Sequence, residues 1–420
     1  MLRKIFKWTG ITLAGLIAAL LIANAIFVWR SGNRLAARLE AIRASGEALS
    51  LADLAAAPIP PEENAAVYLR RAQDDLAAMD AELHSIHADA WHRGPMDRQQ
   101  LAKVEEVLAA YPNVLGLLEK AAKCPRYRSD SDFGLPHLEF LEKSLDQLQR
   151  VRSASRFLQA RTMVLTAKGR REEALQLSIL TMQLARQIDQ ESSLSGFLVA
   201  IAVRSIGVES ANLVLRSGPV DDSARAALDA EIARHDLTES YRGALVAERA
   251  FGLSAFNDMD LGRFWATRGF WNNATIYYLD VMDQQLSLAS TPSYQILAAA
   301  PPPVPKPVSP WNVLAEMVVP AIDAARQAAD RCRANMRCLR VLNAVTRLEQ
   351  RGVAATGLAD LGLSEEETTD PFTGQPLLMK KLPDGWVIYS VGKDLKDDGG
   401  KVDDLTDFGL GPAPPLPSIE

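Results

Sequence analysis

The chain of 420 residues carries a formal net charge of −6 with a pI near 5.6, and it has no basic footprint of the kind that binds nucleic acid. Hydrophobic residues make up 48% and aromatics only 6%, a balance that suits Ala/Leu-rich helices better than sheets. Three cysteines are an odd count and imply no disulfide scaffold.

Residues 11–29, ITLAGLIAALLIANAIFVW, hold no charge. At about 1.5 Å per residue such a helix spans roughly 28 Å, close to the hydrocarbon thickness of a bilayer. Trp8 and Trp29 flank it as interfacial aromatics. Arg3, Lys4 and Lys7 precede it, so the positive-inside rule keeps the N-terminus in the cytoplasm and sends the chain after Arg30 across the membrane. Two other readings compete for this stretch. Ala23-Asn24-Ala25 fits a small-x-small cleavage pattern, but the apolar run continues through Trp29. Gly10-Ile11-Thr12-Leu13 is similar to the start that prepilin peptidase cuts in type IV pilins and pseudopilins, with Gly15 where those proteins carry a glutamate.

Residues 34–297 read as a helical body. A helix leaves the membrane over 34–47, and Pro58-Ile59-Pro60-Pro61 breaks it before the acids Glu62 and Glu63 open the next. That helix runs to about His87. His84, His87 and His92 lie near one another in sequence without a further ligand pattern, which favours surface histidines over a metal site. Beyond a turn-rich connection, Leu138, Leu141, Leu145 and Leu148 repeat at three and four and predict one buried stripe. The turn at Lys168-Gly169-Arg170 leads into a second helix with Ala174, Leu177, Leu180, Leu184 and Ile188. Residues 167–175, AKGRREEAL, resemble the turn of a tetratricopeptide repeat, over one hairpin only and with no second copy at a fixed period. Residues 194–203 are apolar on every face, too short to span a bilayer, and predict a central buried helix that Gly196, Ala200 and Gly207 let neighbours approach.

Residues 251–278 concentrate aromatics, among them Phe251, Phe256, Phe264, Trp265, Phe270, Trp271, Tyr277 and Tyr278. Such a cluster either lines a groove for a peptide or glycan or packs loops against the helices, and the second reading is preferred. Residues 298–310, AAAPPPVPKPVSP, form a proline-rich spacer. The last segment, 311–420, begins with a long helix to about Gln350, interrupted by Pro320, that offers Ala328, Cys332, Leu339, Leu342, Val345 and Leu348 as buried positions.

From Asp370 the texture changes. Residues 370–377, DPFTGQPL, make a tight turn into a strand at 378–381; Pro383-Asp384-Gly385 turns the chain, and Trp386-Val387-Ile388-Tyr389-Ser390 returns. The 394–404 loop then gathers Asp394, Asp397, Asp398, Asp403 and Asp404 around Gly399 and Gly400, carboxylates that a hard cation such as calcium would hold together. The pattern Asp370-Pro371, Gly374, Pro376-Leu377, then Tyr389-Ser390-x-Gly392 and an Asp/Gly-rich loop resembles the C-terminal part of the major pseudopilin of type II secretion. That resemblance implies a small sheet packed on a helix and a calcium ion bound by the loop. The whole arrangement, with residues 1–33 as stub and anchor, is similar to bacterial envelope proteins that join an anchor and a helical body to such a tail.

No catalytic constellation stands out: there is no Walker loop, Gly-x-Ser-x-Gly, His-Glu-x-x-His or paired-cysteine zinc pattern. The fold expected is mostly α, with a transmembrane helix, a multi-helix body with TPR-like hairpin packing and an α+β pseudopilin-like module. The expected role is a single-pass scaffold or interaction protein of the bacterial inner membrane, its body periplasmic and its protein partner unidentified. The alternatives are a pseudopilin-like subunit of a secretion or pilus-type machine and an envelope hydrolase using the aromatic region as a cleft.

Overall fold

The structure is a computed structural model that describes residues 2–55, 57–86, 96–135, 137–191, 193–259, 264–300, 303–306, 309, 312–402 and 407–419, without the side chains at 2–7, 137, 138, 141, 313–315 and 317–319. His87, His92, Asp403 and Asp404 therefore lie outside the described residues, while His84 is exposed on its helix.

The chain is mostly helical. The first helix, α1 (Leu2–Ala44), runs unbroken from the apolar stretch into the body. It is followed by α2 (Ala65–Arg71), α3 (Gln73–Ile86), α4 (Arg98–Ala110) and α5 (Val114–Lys123). Asn64 caps α2 by accepting the Ala66 N–H, and Asp97 with Gln100 forms a capping box on α4. The single helix expected over 62–87 is thus two, separated at Ala72.

The body's centre is α6 (His137–Ala167), α7 (Arg171–Ile188) and α8 (Leu194–Arg216). As the apolar run predicts, α8 is the core helix: Phe197, Val199, Ala200, Val203, Val208 and Ala211 are all buried. A Cβ on Gly207 would fall 2.7 Å from the Met182 side chain, so α7 and α8 touch where only hydrogen fits. The leucine stripe of α6 is corrected by the structure, because Leu145 is 52% exposed. The buried side carries Phe140, Leu148, Val151, Phe157 and Leu158, together with Ser144 and Gln147. Those two polar residues can be buried because the loop beneath supplies Ser131, whose Oγ lies 3.4 Å from Ser144 Oγ and 3.3 Å from Gln147 Oε1.

Around this centre pack α9 (Asp222–Ile232), α10 (Leu237–Asp258), α11 (Trp265–Ser287), α12 (Ser293–Ala299), α13 (Asn312–Gln350) and the short α14 (Glu365–Thr368). Cys332, Leu339, Leu342 and Val345 are buried on α13 as expected, and Cys124, Cys332 and Cys338 are buried free thiols. Three antiparallel strands close the chain: β1 (Leu378–Leu382), β2 (Gly385–Ser390) and β3 (Phe408–Leu410), in the order β1-β2-β3. Met379 pairs with Ile388, and Ile388 with Leu410. The first two strands match the expected hairpin; β3 has no counterpart in the sequence reading. Trp386, Ile388 and Leu410 join the core of the helical body, with β2 and β3 lying against α13.

Candidate functional site

The apolar half of α1 is bare. Leu13, Leu16, Ile17, Leu20, Leu21 and Ile22 are exposed, as are Trp8 and Trp29, which lie about 31 Å apart at a helical rise of about 1.5 Å per residue. None of the apolar window in Trp8–Ala44 is buried by the rest of the chain. By length and composition such a helix is long and apolar enough to cross a bilayer.

The next stretch of α1 is fastened to α11, and the two helices run parallel. Asn24 Nδ2 donates to the Trp265 carbonyl at 3.2 Å; the Phe27 and Phe270 rings meet edge-on at 5.1 Å between centroids. Asn272 Nδ2 donates to Ser31 Oγ at 3.2 Å, and Arg38 pairs with Asp280 at 2.8 Å and Asp283 at 2.6 Å. Asn24, Ser31 and Arg38 recur at the seven-residue spacing of a parallel helical seam. Gly269 lets Phe27 in, since a Cβ there would stand 2.3 Å from the ring.

The polar end of the seam continues into α10. Buried Arg249 donates to Glu47 Oε2 at 2.6 Å and reaches Asp283 at 3.5 Å, while Arg242 donates to the other Glu47 oxygen at 2.7 Å. Burial would raise the Glu47 pKa, but the hydrogen bonds and charges of Arg249 and Arg242 hold it below the ordinary range. Beside the seam an open cleft of about 850 Å³ lies between Leu35 and Leu39 of α1, Phe256 of α10, and Arg268 and Trp271 of α11.

The aromatic region divides. Phe256, Trp271 and Tyr278 stack at 5.1 and 5.5 Å, and the Tyr278 hydroxyl donates to the Glu248 carbonyl at 2.8 Å, so these rings are packing. Phe264 and Trp265 are 70% and 44% exposed. Compared with known proteins, the chain matches no family model, no curated protein and no solved structure.

The tail motif has a physical basis. Asp370 is buried, and its Oδ1 accepts the Phe372 N–H at 2.9 Å and the Ser390 hydroxyl at 2.8 Å. Ser390 Oγ in turn accepts the Gly392 N–H at 3.0 Å, so the two halves of the motif are bonded to each other. The acidic loop then covers the outer face of β2: a Cβ on Gly400 would fall 2.9 Å from Val387 and 3.0 Å from Tyr389.

Two of its carboxylates accept hydrogen bonds from the loop and from β2. Asp397 Oδ1 accepts the Tyr389 hydroxyl at 3.0 Å and the Gly399 N–H at 2.8 Å, and Asp394 Oδ1 accepts the Lys396 N–H at 3.2 Å. Asp398 is held through its backbone N–H, which donates to Asp407 at 3.4 Å. Among the described residues no three His, Cys, Asp or Glu side chains converge as a metal site; Asp403 and Asp404, the rest of the expected set, lie outside them. Asp407, which the sequence reading passed over, is fully buried and accepts the Gly400 N–H at 2.8 Å. Its signal was the short Phe408-Gly409-Leu410 strand beside it.

One further titratable cluster lies within the body. Arg204 Nε donates to His235 Nδ1 at 2.8 Å and its guanidinium pairs with Asp189; His235 Nε2 lies 3.3 Å from Glu231, which also meets Arg186 at 3.2 Å. An Nδ1 that accepts from arginine belongs to a neutral imidazole. Burial lowers the His235 pKa to about 4, outweighing the pull of Glu231. The Arg204 and His235 side chains have no exposed surface, so the cluster joins α7, α8 and α9 and offers no approach to a substrate.

Proposed function

We infer that the chain is a single-pass scaffold of a bacterial inner membrane, with its N-terminus cytoplasmic and its helical body periplasmic. The observation that carries this reading is the continuity of α1: one helix is bare and apolar from Trp8 to Ala23 and bonded to α11 from Asn24 onward. A flexible leash would let the body tumble. A helix shared between membrane and body holds it at a fixed height and orientation, which suits a protein that presents surfaces to envelope partners. Asn24 and Phe27 flank the cleavage-like Ala25, so a cut there would divide the seam. The test is alkaline extraction of membranes followed by intact mass. A carbonate-resistant chain that retains residues 11–29 is expected; a soluble chain beginning after Ala25 would overturn the reading.

A pseudopilin-like subunit is the second reading, favoured by the Asp370–Ser390 bond that unites the motif, and it requires processing after Gly10. Calcium belongs to both readings as a structural ion of the tail, with Asp403 and Asp404 completing what Asp394, Asp397 and Asp398 begin. Titration calorimetry of the full chain in detergent, beside Asp397→Ala/Asp398→Ala, should give a saturable heat that the variant loses. Absence of heat in both would leave the loop closed by its own hydrogen bonds.

A further inference from the structure

The seam between α1 and α11 fixes where α11 begins relative to the bilayer. The Trp265 carbonyl is bonded to Asn24, and Asn24 lies about 7 Å short of Trp29 along the helix axis. With Trp29 at the outer interface, the first turn of α11 is below the headgroups. That turn is what a lipid interface accepts: Phe264 and Trp265 are exposed, and Arg268 follows one turn later. Aromatic rings just beneath the headgroups, with an arginine reaching up to phosphate, are the usual composition of an interfacial anchor. Asn24 supports the same placement. A lone amide inside an apolar helix is costly in lipid unless it finds a partner, and its partner here is the backbone of Trp265.

We propose that the start of α11, carried by the exposed Phe264 and Trp265, is a second membrane contact that inserts into the outer leaflet beside α1. The occupant of this aromatic patch is lipid, because Trp265 is bonded to Asn24 and so lies beside the bare apolar face of α1. The body then rests on the membrane at two points, which restrains its tilt and brings the cleft bounded by Leu39, Phe256 and Arg268 towards the membrane surface.

This inference rests on the anchor reading, and one experiment separates the two. Full-length protein is labelled with the environment-sensitive fluorophore NBD through a single introduced cysteine, the native thiols being buried. The variants are Phe264→Cys, Leu20→Cys in the anchor, and Val353→Cys at the far end of α13, each reconstituted in phosphatidylcholine/phosphatidylglycerol vesicles with doxyl-labelled lipids. Expected is severalfold stronger quenching at position 264 than at 353, greatest with a shallow doxyl group, and quenching at position 20 by a deep one. Quenching at 20 with a water-like, unquenched signal at 264 overturns the proposal and leaves the anchor standing. A blue-shifted but unquenched signal at 264 also overturns it, since a second copy of the chain then covers the patch. No quenching at either position overturns both readings.

Discussion

Two acid–base groups, one buried and one half-buried, pull the stability of this protein in opposite directions with pH. The folded state holds His235 at a pKa of about 4, below its value of about 6.5 in an unfolded chain. Its contribution is fully present above about pH 6.5 and is lost as pH falls towards 4, because the unfolded state binds the proton first. Glu248 has the opposite sign: burial raises its pKa to about 7, so it favours the fold while protonated and loses that contribution as pH rises from about 4.5 to 7. The two windows overlap, and the wild-type melting temperature should therefore change little between pH 5 and 7 on their account. Glu248→Gln should gain about 1–2 kcal/mol at pH 8 and nothing at pH 4, read by thermal denaturation at both values. Leu395 offers a simpler test in the acidic loop. It is exposed at φ 60°, a region that asparagine enters more readily than leucine, so Leu395→Asn should stabilise the tail by about 0.5–1 kcal/mol in a denaturant titration.

Among the elements, the seam of α1 and α11 depends on one missing side chain. Gly269→Leu would push into the Phe27 ring, and parting the two helices also strands Asn24 and the Arg38 carboxylate partners. Overpacking of this kind costs about 1–3 kcal/mol, and hydrogen exchange should show α11 losing protection while β2 keeps it. Nothing in the sequence announces this pairing, since residues about 241 apart meet in it. What was legible is local. The apolar run of α1, the all-round apolar α8 and the hairpin of β1 and β2 each follow from periodicity and turn residues within a few positions. What was not legible depends on distant partners. Leu145 faces solvent while Ser131 satisfies Ser144 and Gln147 on the buried side of α6, and the three residues of β3 take their pairing from β2. The candidate site divides the same way: Asp397 was readable from its loop, whereas Asp407 is defined by the backbone that closes on it.

Across the whole molecule, anchor, body and tail are joined by arginines more than by chain proximity. Arg38 ties α1 to α11, and Arg249 on α10 holds Glu47 just past the end of α1. Arg225, buried on α9, donates to Asn343 Oδ1 at 3.0 Å and Thr346 Oγ1 at 2.9 Å on α13. Arg216, at the end of α8, donates to the Trp386 carbonyl at 2.6 Å and the Leu410 carbonyl at 3.3 Å, reaching both β2 and β3. Desolvation lowers its pKa to about 10, which still leaves it charged at pH 7. The sheet is thus docked on the body through carbonyls that have little access to water. Arg216→Ala removes their donor without disturbing the pairing of the strands themselves. The expected loss is about 2–3 kcal/mol, from two buried carbonyls left with weaker partners. It should appear as earlier hydrogen exchange across β2 and β3, with α6 to α8 unchanged. Equal loss of protection in α6 to α8 would mean instead that tail and body unfold as one unit, with Arg216 stabilising the whole.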